Sequence, residues 1–182
     1  MLPIKDADVN EFWKGYEVNV KGLFITTQAF VRTAEPGATL ISLTTAVAHI
    51  PPRIGASAYS SSKLAAAKFI EDAQAEHPEF RFFNIHPGIV DTDMARKSTF
   101  TAQDDGESYS FPLMRADINP FISPVQLPAS FSVWLASPKS DPLKGKFIWA
   151  NWDVEELLAR QEEINSKNLL TTGLKGWGYT VV

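Results

Sequence analysis

The chain of 182 residues contains no cysteine, which excludes disulfide bonds, thiolate metal sites and cysteine nucleophiles. It has no apolar run near the roughly 20 residues of a membrane span, and residues 1–15 are too charged for the centre of a signal peptide. Lysine and arginine total 17 against 21 acidic residues, and no basic cluster stands out. We therefore expect a cytoplasmic protein that binds neither nucleic acid nor membrane.

Metal-binding patterns are also missing. The three histidines, His49, His77 and His86, are spaced irregularly and have no acidic companions at ligand spacing, so we expect no metal site. What the chain does have is 45% hydrophobic and 21% charged residues, a composition typical of globular proteins. Its length predicts one domain over residues 1–182.

Helical patterns alternate with short apolar runs that suit buried strands. Possible capping residues, Asp8, Ser123 before Pro124, and Asp153, mark helix starts. Strands are predicted at 39–43, 80–85 and 146–150, and helices at 9–31, 58–76, 124–136 and from 153. Such widely separated strands predict a parallel sheet with flanking helices, one half of a doubly wound α/β fold.

Two stretches lack this pattern. Residues 96–119 show no clean periodicity and contain Gln103-Asp104-Asp105-Gly106, so we expect irregular structure there. They belong to a loop region of about 93–122 that would determine substrate choice. Residues from about 168 to 182 contain three glycines without a strand before them or a helix after them, and we interpret them as a C-terminal tail.

The predicted site lies where the strands end. Ligands of such sheets bind beyond the carboxyl ends of the strands, and here Thr44-Thr45 and His86-Pro87-Gly88 follow the first two strands. Tyr59 and Lys63 stand four residues apart near the start of the next helix, on one face.

The pair of Tyr59 and Lys63 suggests an activated phenol. Lowering a phenol pKa from about 10 to neutrality requires about 4 kcal/mol. One cation about 4 Å away supplies that order of energy, and a helix N-terminus adds a smaller contribution. We therefore predict that Lys63 lowers the pKa of Tyr59, although the spacing alone is common and a weak signal.

Other motifs accompany this pair in a fixed order, namely Asn19-Val20-Lys21-Gly22, Thr45 and the run Pro87-Gly88-Ile89-Val90-Asp91-Thr92. Together they resemble the second half of the short-chain dehydrogenase/reductase family, over residues 4–150. The resemblance implies a truncated Rossmann-like sheet that begins after the family's fourth strand. No strand and glycine-rich turn for a dinucleotide pyrophosphate precede Asn19, so the chain is either a fragment or a protein lacking its adenosine-binding half.

The resemblance implies an NAD(P)-dependent oxidoreductase acting on a carbonyl or secondary alcohol. Tyr59 would be the general acid/base, and Lys63 would lower its pKa and hold the nicotinamide ribose. Asn19 would support a water that relays protons to Lys63. Thr45 would hydrogen-bond the substrate oxygen, but the family usually has serine one residue nearer the tyrosine, so Thr44 or Ser42 is an alternative.

The same resemblance implies how NAD or NADP would be held. The backbone of Val90 and the hydroxyl of Thr92 would bind the nicotinamide end, and Pro87-Gly88 would let the backbone approach closely. Residues 147–153 are reminiscent of fungal members of the family in specialised metabolism.

The same family resemblance implies that two copies of the chain associate, and it leaves a second class of function open. The helices at 9–31 and 58–76 resemble those that build the family's homodimer interface. If the chain is complete, strand 39–43 would also have an unpaired hydrophobic edge that needs a partner. The alternative function is a non-redox protein, either a binding or dimerising module or a cofactor-free catalyst using Tyr59.

Overall fold

Three short parallel strands form the sheet on which the rest of the structure is built. The computed structural model describes residues 2–93, 99–104, 107–112 and 123–174. Strands β1 (Thr39–Leu43), β2 (Arg81–His86) and β5 (Phe147–Trp149) lie in the order β1-β2-β5. Both pairings are parallel. The prediction of a parallel, Rossmann-like sheet with flanking helices is confirmed.

The first helical run is less regular than predicted. It consists of α1 (Val9–Tyr16), a π-helical segment (Glu17–Gly22) and α2 (Leu23–Thr33). Asp8 caps α1 as expected, because its carboxylate accepts the backbone N–H groups of Asn10 at 2.9 Å and Glu11 at 3.0 Å. The π turn was not foreseen, and such segments occur frequently at functional sites.

The long helix α3 (Ser57–Glu76) covers one face of the sheet. Its Ile70 packs with Phe80 and Phe82, and residues from α2 complete this cluster. The other face is a larger core built around Phe83, Ile85 and further aliphatic and aromatic side chains. Central strand β2 is therefore buried on both faces, as a strand inside a parallel sheet should be.

Helix α4 (Gln126–Leu135) starts later than predicted. The sequence suggested that Ser123 caps a helix beginning at Pro124, but the structure shows no side-chain cap at the start of α4. Ser123 instead donates its backbone N–H to Ile89 at 2.8 Å and ties this segment to the loop after β2. The Ser123 side chain lies against Gly88, where an added Cβ atom would come within 2.7 Å of its hydroxyl, and it does not cap the helix.

The last predicted helix is divided into α5 (Val154–Ala159) and α6 (Gln161–Ser166). Its predicted start is confirmed, since the Asp153 carboxylate accepts the N–H groups of Glu155 at 2.8 Å and Glu156 at 3.0 Å. None of the helices in the described ranges combines the length and apolar character needed to cross a membrane.

The prediction of irregular structure was wrong for part of residues 96–119. Strands β3 (Thr99–Asp104) and β4 (Glu107–Pro112) pair antiparallel, with Asp104 opposite Glu107. Asp105-Gly106 separates them in the sequence, and Asp-Gly between two strand-like runs is a strong hairpin signal that periodicity alone missed. The rest of that stretch lies outside the described residues.

The described part of the predicted tail is attached to the body. Phe147 in β5 donates its N–H to the carbonyl of Leu170 at 2.8 Å. The Glu71 carboxylate of α3 accepts the backbone N–H of Thr172 at 2.7 Å and its hydroxyl at 2.9 Å. Residues up to 172 are thus held between the sheet edge and α3, whereas the glycines at 176 and 178 lie outside the described residues.

Arg81 connects the sheet to the helical layer at the start of β2. Its side chain is buried, with only 7% of the residue exposed. The guanidinium donates to the Asp141 carboxylate at 2.7 Å and the Thr39 hydroxyl at 2.7 Å. It also donates to the Ala136 carbonyl at 2.9 Å, to two neighbouring carbonyls at the end of α4, and to the Ser140 hydroxyl at 2.8 Å.

We expect Arg81→Met to lower the free energy of unfolding by about 3–5 kcal/mol, because it leaves several buried acceptors without a donor. Urea unfolding measures the change. Lys167→Met is the matched control, since Lys167 is an exposed cation whose ion pair to Glu163 is also exposed, and it should leave the midpoint unchanged. An equal, small effect of both substitutions would contradict the assigned role of Arg81.

Candidate functional site

The carboxyl end of the sheet brings the predicted hydroxyl, phenol and ammonium groups together. β1 ends at Leu43 and is followed by Thr44 and Thr45, while the first two turns of α3 carry Tyr59 and Lys63. The side chain of Thr45 lies close enough to the Tyr59 phenol to lower its pKa. Thr45 and Tyr59, 14 positions apart in the sequence, are thus neighbours in the structure, and their catalytic roles stay predictions.

Thr45 is oriented for this contact by its own backbone surroundings. Its hydroxyl oxygen accepts the N–H of Val47 at 3.3 Å, in the short 3₁₀ turn that follows. The hydroxyl hydrogen therefore stays available for the Tyr59 oxygen. Thr44 points elsewhere and donates to the Lys63 carbonyl at 3.5 Å, and Ser42 is buried within β1. Among the three alternatives, Thr45 is the one placed against Tyr59.

The expected effect of Lys63 on Tyr59 is wrong for this structure. Burial raises the pKa of the Tyr59 phenol, and the Thr45 side chain opposes that shift only partly. The Lys63 ammonium donates to the backbone carbonyl of Leu43 at 2.9 Å, at the end of edge strand β1. Burial also lowers the pKa of Lys63. Tyr59 is consequently a protonated phenol at neutral pH.

Asn19 contacts α3 through Ser62, and its predicted support of a proton-relaying water stays a prediction. Asn19 lies in the π-helical segment, and its amide donates to the Ser62 hydroxyl at 3.0 Å. Ser62 in turn donates to the carbonyl of Tyr59 at 3.1 Å. Asn19 therefore holds the backbone of the turn that carries Tyr59.

A second bond between the same helices was not anticipated. The phenol of Tyr16 donates to the Ser61 hydroxyl at 2.8 Å. Tyr16 and Asn19 are three residues apart, and Ser61 and Ser62 belong to the serine run between Tyr59 and Lys63. Two polar residues at helical spacing facing a serine run are a signal that could have suggested this contact.

The loop after β2 reaches the same edge of the sheet. Gly88 has φ +84°, a conformation that side-chain-bearing residues rarely adopt. A Cβ atom at Gly88 would also come within 2.7 Å of the Ser123 hydroxyl. The positive φ therefore favours glycine at this position, and the approach of a cofactor to Pro87-Gly88 stays a prediction. Val90 is half-buried and Thr92 exposed in the same loop.

His86 ends β2, as predicted, and its ring is largely buried against Trp149, with centroids 4.8 Å apart. Burial lowers its pKa to about 4, so the ring is neutral at pH 7. Its Nδ1 atom is buried without a hydrogen-bond partner. Within the described ranges, no three histidine or acidic residues are grouped closely enough to hold a metal ion.

Comparisons with known proteins agree on one family. The family model for short chain dehydrogenase matches residues 1–103. The short chain dehydrogenase mpl6 of Monascus purpureus is 33% identical over 167 residues, which cover 90% of this chain and 52% of that protein. The short chain dehydrogenase/reductase AacuD of Aspergillus aculeatus is 34% identical and covers 95% of this chain and 56% of its own. The chain spans about half the length of these relatives.

Solved structures share the fold. A short chain dehydrogenase from Burkholderia cenocepacia, in complex with NADP, superimposes with a TM-score of 0.65 at 20% identity. The match covers 82% of this chain and 60% of that one. This similarity extends the fold assignment from the sheet to most of the chain.

We expect the Tyr59 phenol to ionise above its usual pKa of about 10, and Thr45→Val to raise that pKa further. The reason is that Thr45 donates to the phenolate, so its removal destabilises only the charged form. The measurement is tyrosinate absorbance against pH, with the spectrum of Tyr59→Phe subtracted. Thr45→Ser keeps the hydroxyl and should behave as the natural chain, and a lowered pKa in Thr45→Val would refute the contact.

Proposed function

The chain belongs to the short-chain dehydrogenase family, and on that premise we propose that it carries the catalytic half of an NAD(P)-dependent oxidoreductase. Its reaction would interconvert a carbonyl and a secondary alcohol, in the cytoplasm, as the cysteine-free composition permits. The observation that supports this most is the placement of the Thr45 side chain against the Tyr59 phenol, at the carboxyl end of the parallel sheet.

Tyr59 is proposed as the general acid in the reductive direction. A carbonyl that accepts hydride on carbon needs a proton on oxygen, and a phenol with a raised pKa is protonated when the substrate arrives. In the oxidative direction the same oxygen would take the alcohol proton. Thr45 would donate a second hydrogen bond to the reacting oxygen and stabilise its negative charge.

Lys63, Val90 and Thr92 are the residues proposed to hold the nicotinamide end of the cofactor. They suit that task because a cation, a loop backbone and a hydroxyl all lie near the carboxyl edge of the sheet. When bound, the nicotinamide supplies or accepts the hydride. Asn19 would act through Ser62 by fixing the helical turn that presents Tyr59.

Either NADP or NAD is compatible with these residues. The Burkholderia cenocepacia relative holds NADP in its solved structure, which favours the phosphorylated cofactor. Because the chain spans about half the length of its relatives, cofactor binding by this chain alone is the point to test first.

We expect NADPH or NADH, at about 100 times its dissociation constant, to raise the melting temperature of the chain by about 5–10 °C. Differential scanning calorimetry with each cofactor measures the shift. The absence of any shift, with a well-folded chain, would overturn the redox proposal for this chain and favour the non-redox binding or dimerising module.

Tyr59→Phe should lower turnover of a ketone substrate by about 10²–10⁴-fold while leaving the cofactor-induced melting shift intact, because only the transferable proton is lost. Ser60→Ala is the matched control, since the Ser60 hydroxyl bonds only the Ala56 carbonyl of its own helix turn in the described contacts. Its turnover should equal that of the natural chain. An unchanged turnover in Tyr59→Phe would remove Tyr59 from the proposed chemistry.

We also propose that two copies associate through helices 9–31 and 58–76. The first helical run leaves several large apolar side chains in water, including Trp13 and Ile25, each 56% exposed. Trp13 packs against Phe12 and Tyr16 in an aromatic group on α1. Exposed apolar groups of this kind commonly mark protein interfaces.

Trp13→Glu should convert the proposed dimer to a monomer, because it places a charge among apolar side chains. Light scattering should give twice 20.2 kDa for the natural chain and 20.2 kDa for the variant. Val133→Glu, at an exposed position on α4, is the control and should remain a dimer. A monomeric natural chain would contradict the assembly.

A further inference from the structure

A cavity of about 300 Å³ lies among the residues that follow β5. It is bounded by the turn after β5, by α5 and α6, and by residues 169–170. None of the candidate catalytic residues lines it. Its volume is at the lower end of the range found for small-molecule sites.

The wall of the cavity is mainly apolar and partly aromatic. It is formed by Trp152 and by four aliphatic side chains of α5, α6 and the segment that follows them. These are Leu157, Ile164, Leu169 and Leu170. Leu157 and Ile164 also belong to the buried core, so this wall is fixed in place by the packing of the protein.

Trp152 is backed by a second aromatic ring. It stacks on Trp149 with ring centroids 5.7 Å apart and ring planes 2° apart. Trp149 in turn packs edge-on against His86 at the end of β2. Since Trp149 covers one side of Trp152, the indole surface that lines the cavity belongs to a ring held rigidly by the sheet.

The opposite wall is held in an uncommon backbone conformation. Asn168 has φ 47° and Leu170 has φ 58°, values that residues other than glycine rarely adopt. The Leu169 N–H donates to Ile164 at 2.8 Å, and the Leu170 carbonyl accepts from Phe147 at 2.8 Å. The left-handed Asn168 and the bond from Leu169 to Ile164 form a helix C-cap, so the end of α6 fixes this wall in place.

The polar groups of the lining carry charges of both signs. The Arg160 guanidinium donates to Glu163 at 3.2 Å, and the Asp153 carboxylate is occupied by its capping bonds. Glu156 and Asn151 complete the polar lining. Two carboxylates face one guanidinium that is already paired with Glu163, so the lining disfavours an anionic ligand and offers a hydroxyl group acceptors for its hydrogen.

From this arrangement we propose that the cavity beside Trp152 is a binding site for a neutral, planar aromatic molecule bearing a hydroxyl group. The ring system stacks on the indole of Trp152, and its apolar edges contact the leucine side chains. The hydroxyl group bonds to the polar lining. The site is separate from Tyr59, so its occupancy does not depend on the proposed reaction.

The test uses the full 182-residue chain and 1-naphthol as the probe. Titration followed by ¹H–¹⁵N NMR should show saturable shifts of the Trp152 indole N–H, with a dissociation constant below about 1 mM. The Trp13 indole, on α1, should not shift. Trp152→Leu and Trp13→Leu assign the two resonances, and Trp152→Leu should weaken binding at least about tenfold while Trp13→Leu leaves it unchanged.

Decahydro-1-naphthol separates aromatic recognition from general apolar binding, because it keeps the carbon skeleton and hydroxyl but is not planar. We expect it to bind at least about fivefold more weakly than 1-naphthol. The proposal would be overturned if the two compounds bound equally well. It would also be overturned if only other tryptophans shifted, or if no saturable shift appeared. If Trp152→Leu fails to fold, the proposal is tested with Trp152→Phe and with the shifts of the Trp152 indole N–H in the natural chain.

Discussion

The buried guanidinium of Arg81 is the constraint on which the arrangement of the sheet depends. A cation removed from water is tolerated only if its donors are all paired, and here they reach the start of β1, the end of α4 and the segment that follows it. These partners fix the register of β1 against β2 at the amino end of the sheet. The parallel strands carry that register to the opposite end, where Thr45 and His86 stand.

At that opposite end, the position of α3 decides the chemistry. Hydrogen bonds from Tyr16 and Asn19 to consecutive serines attach the first turns of α3 to the preceding helical run. The same burial has opposite effects on two groups, since it raises the pKa of Tyr59 and lowers that of Lys63. Both shifts favour the neutral form, because desolvation penalises charge of either sign. The structure therefore presents a proton donor at neutral pH.

Hydrophobic periodicity predicted the elements that are long or fully buried. β1 matches its predicted range, and α3 begins one residue before it. The hairpin of β3 and β4 was missed because its strands do not alternate cleanly, although Asp105-Gly106 carried the turn signal. The start of α4 was misplaced because the Ser123 side chain lies against Gly88 in the loop after β2 and does not cap the helix. Local patterns fail where a residue has a stronger partner elsewhere in the fold.

The amino-acid sequence by itself determined the fold class, the family resemblance and the common edge of the sheet for Thr45, Tyr59 and Lys63. These follow from local spacing, since periodicity decides which face of an element is buried and where it ends. Only the tertiary structure placed Thr45, and not Thr44, against Tyr59, and directed Lys63 to the carbonyl of Leu43. It alone set the directions of the pKa shifts as well. Those outcomes depend on distances between segments far apart in the chain and on the water excluded between them, which no local pattern encodes.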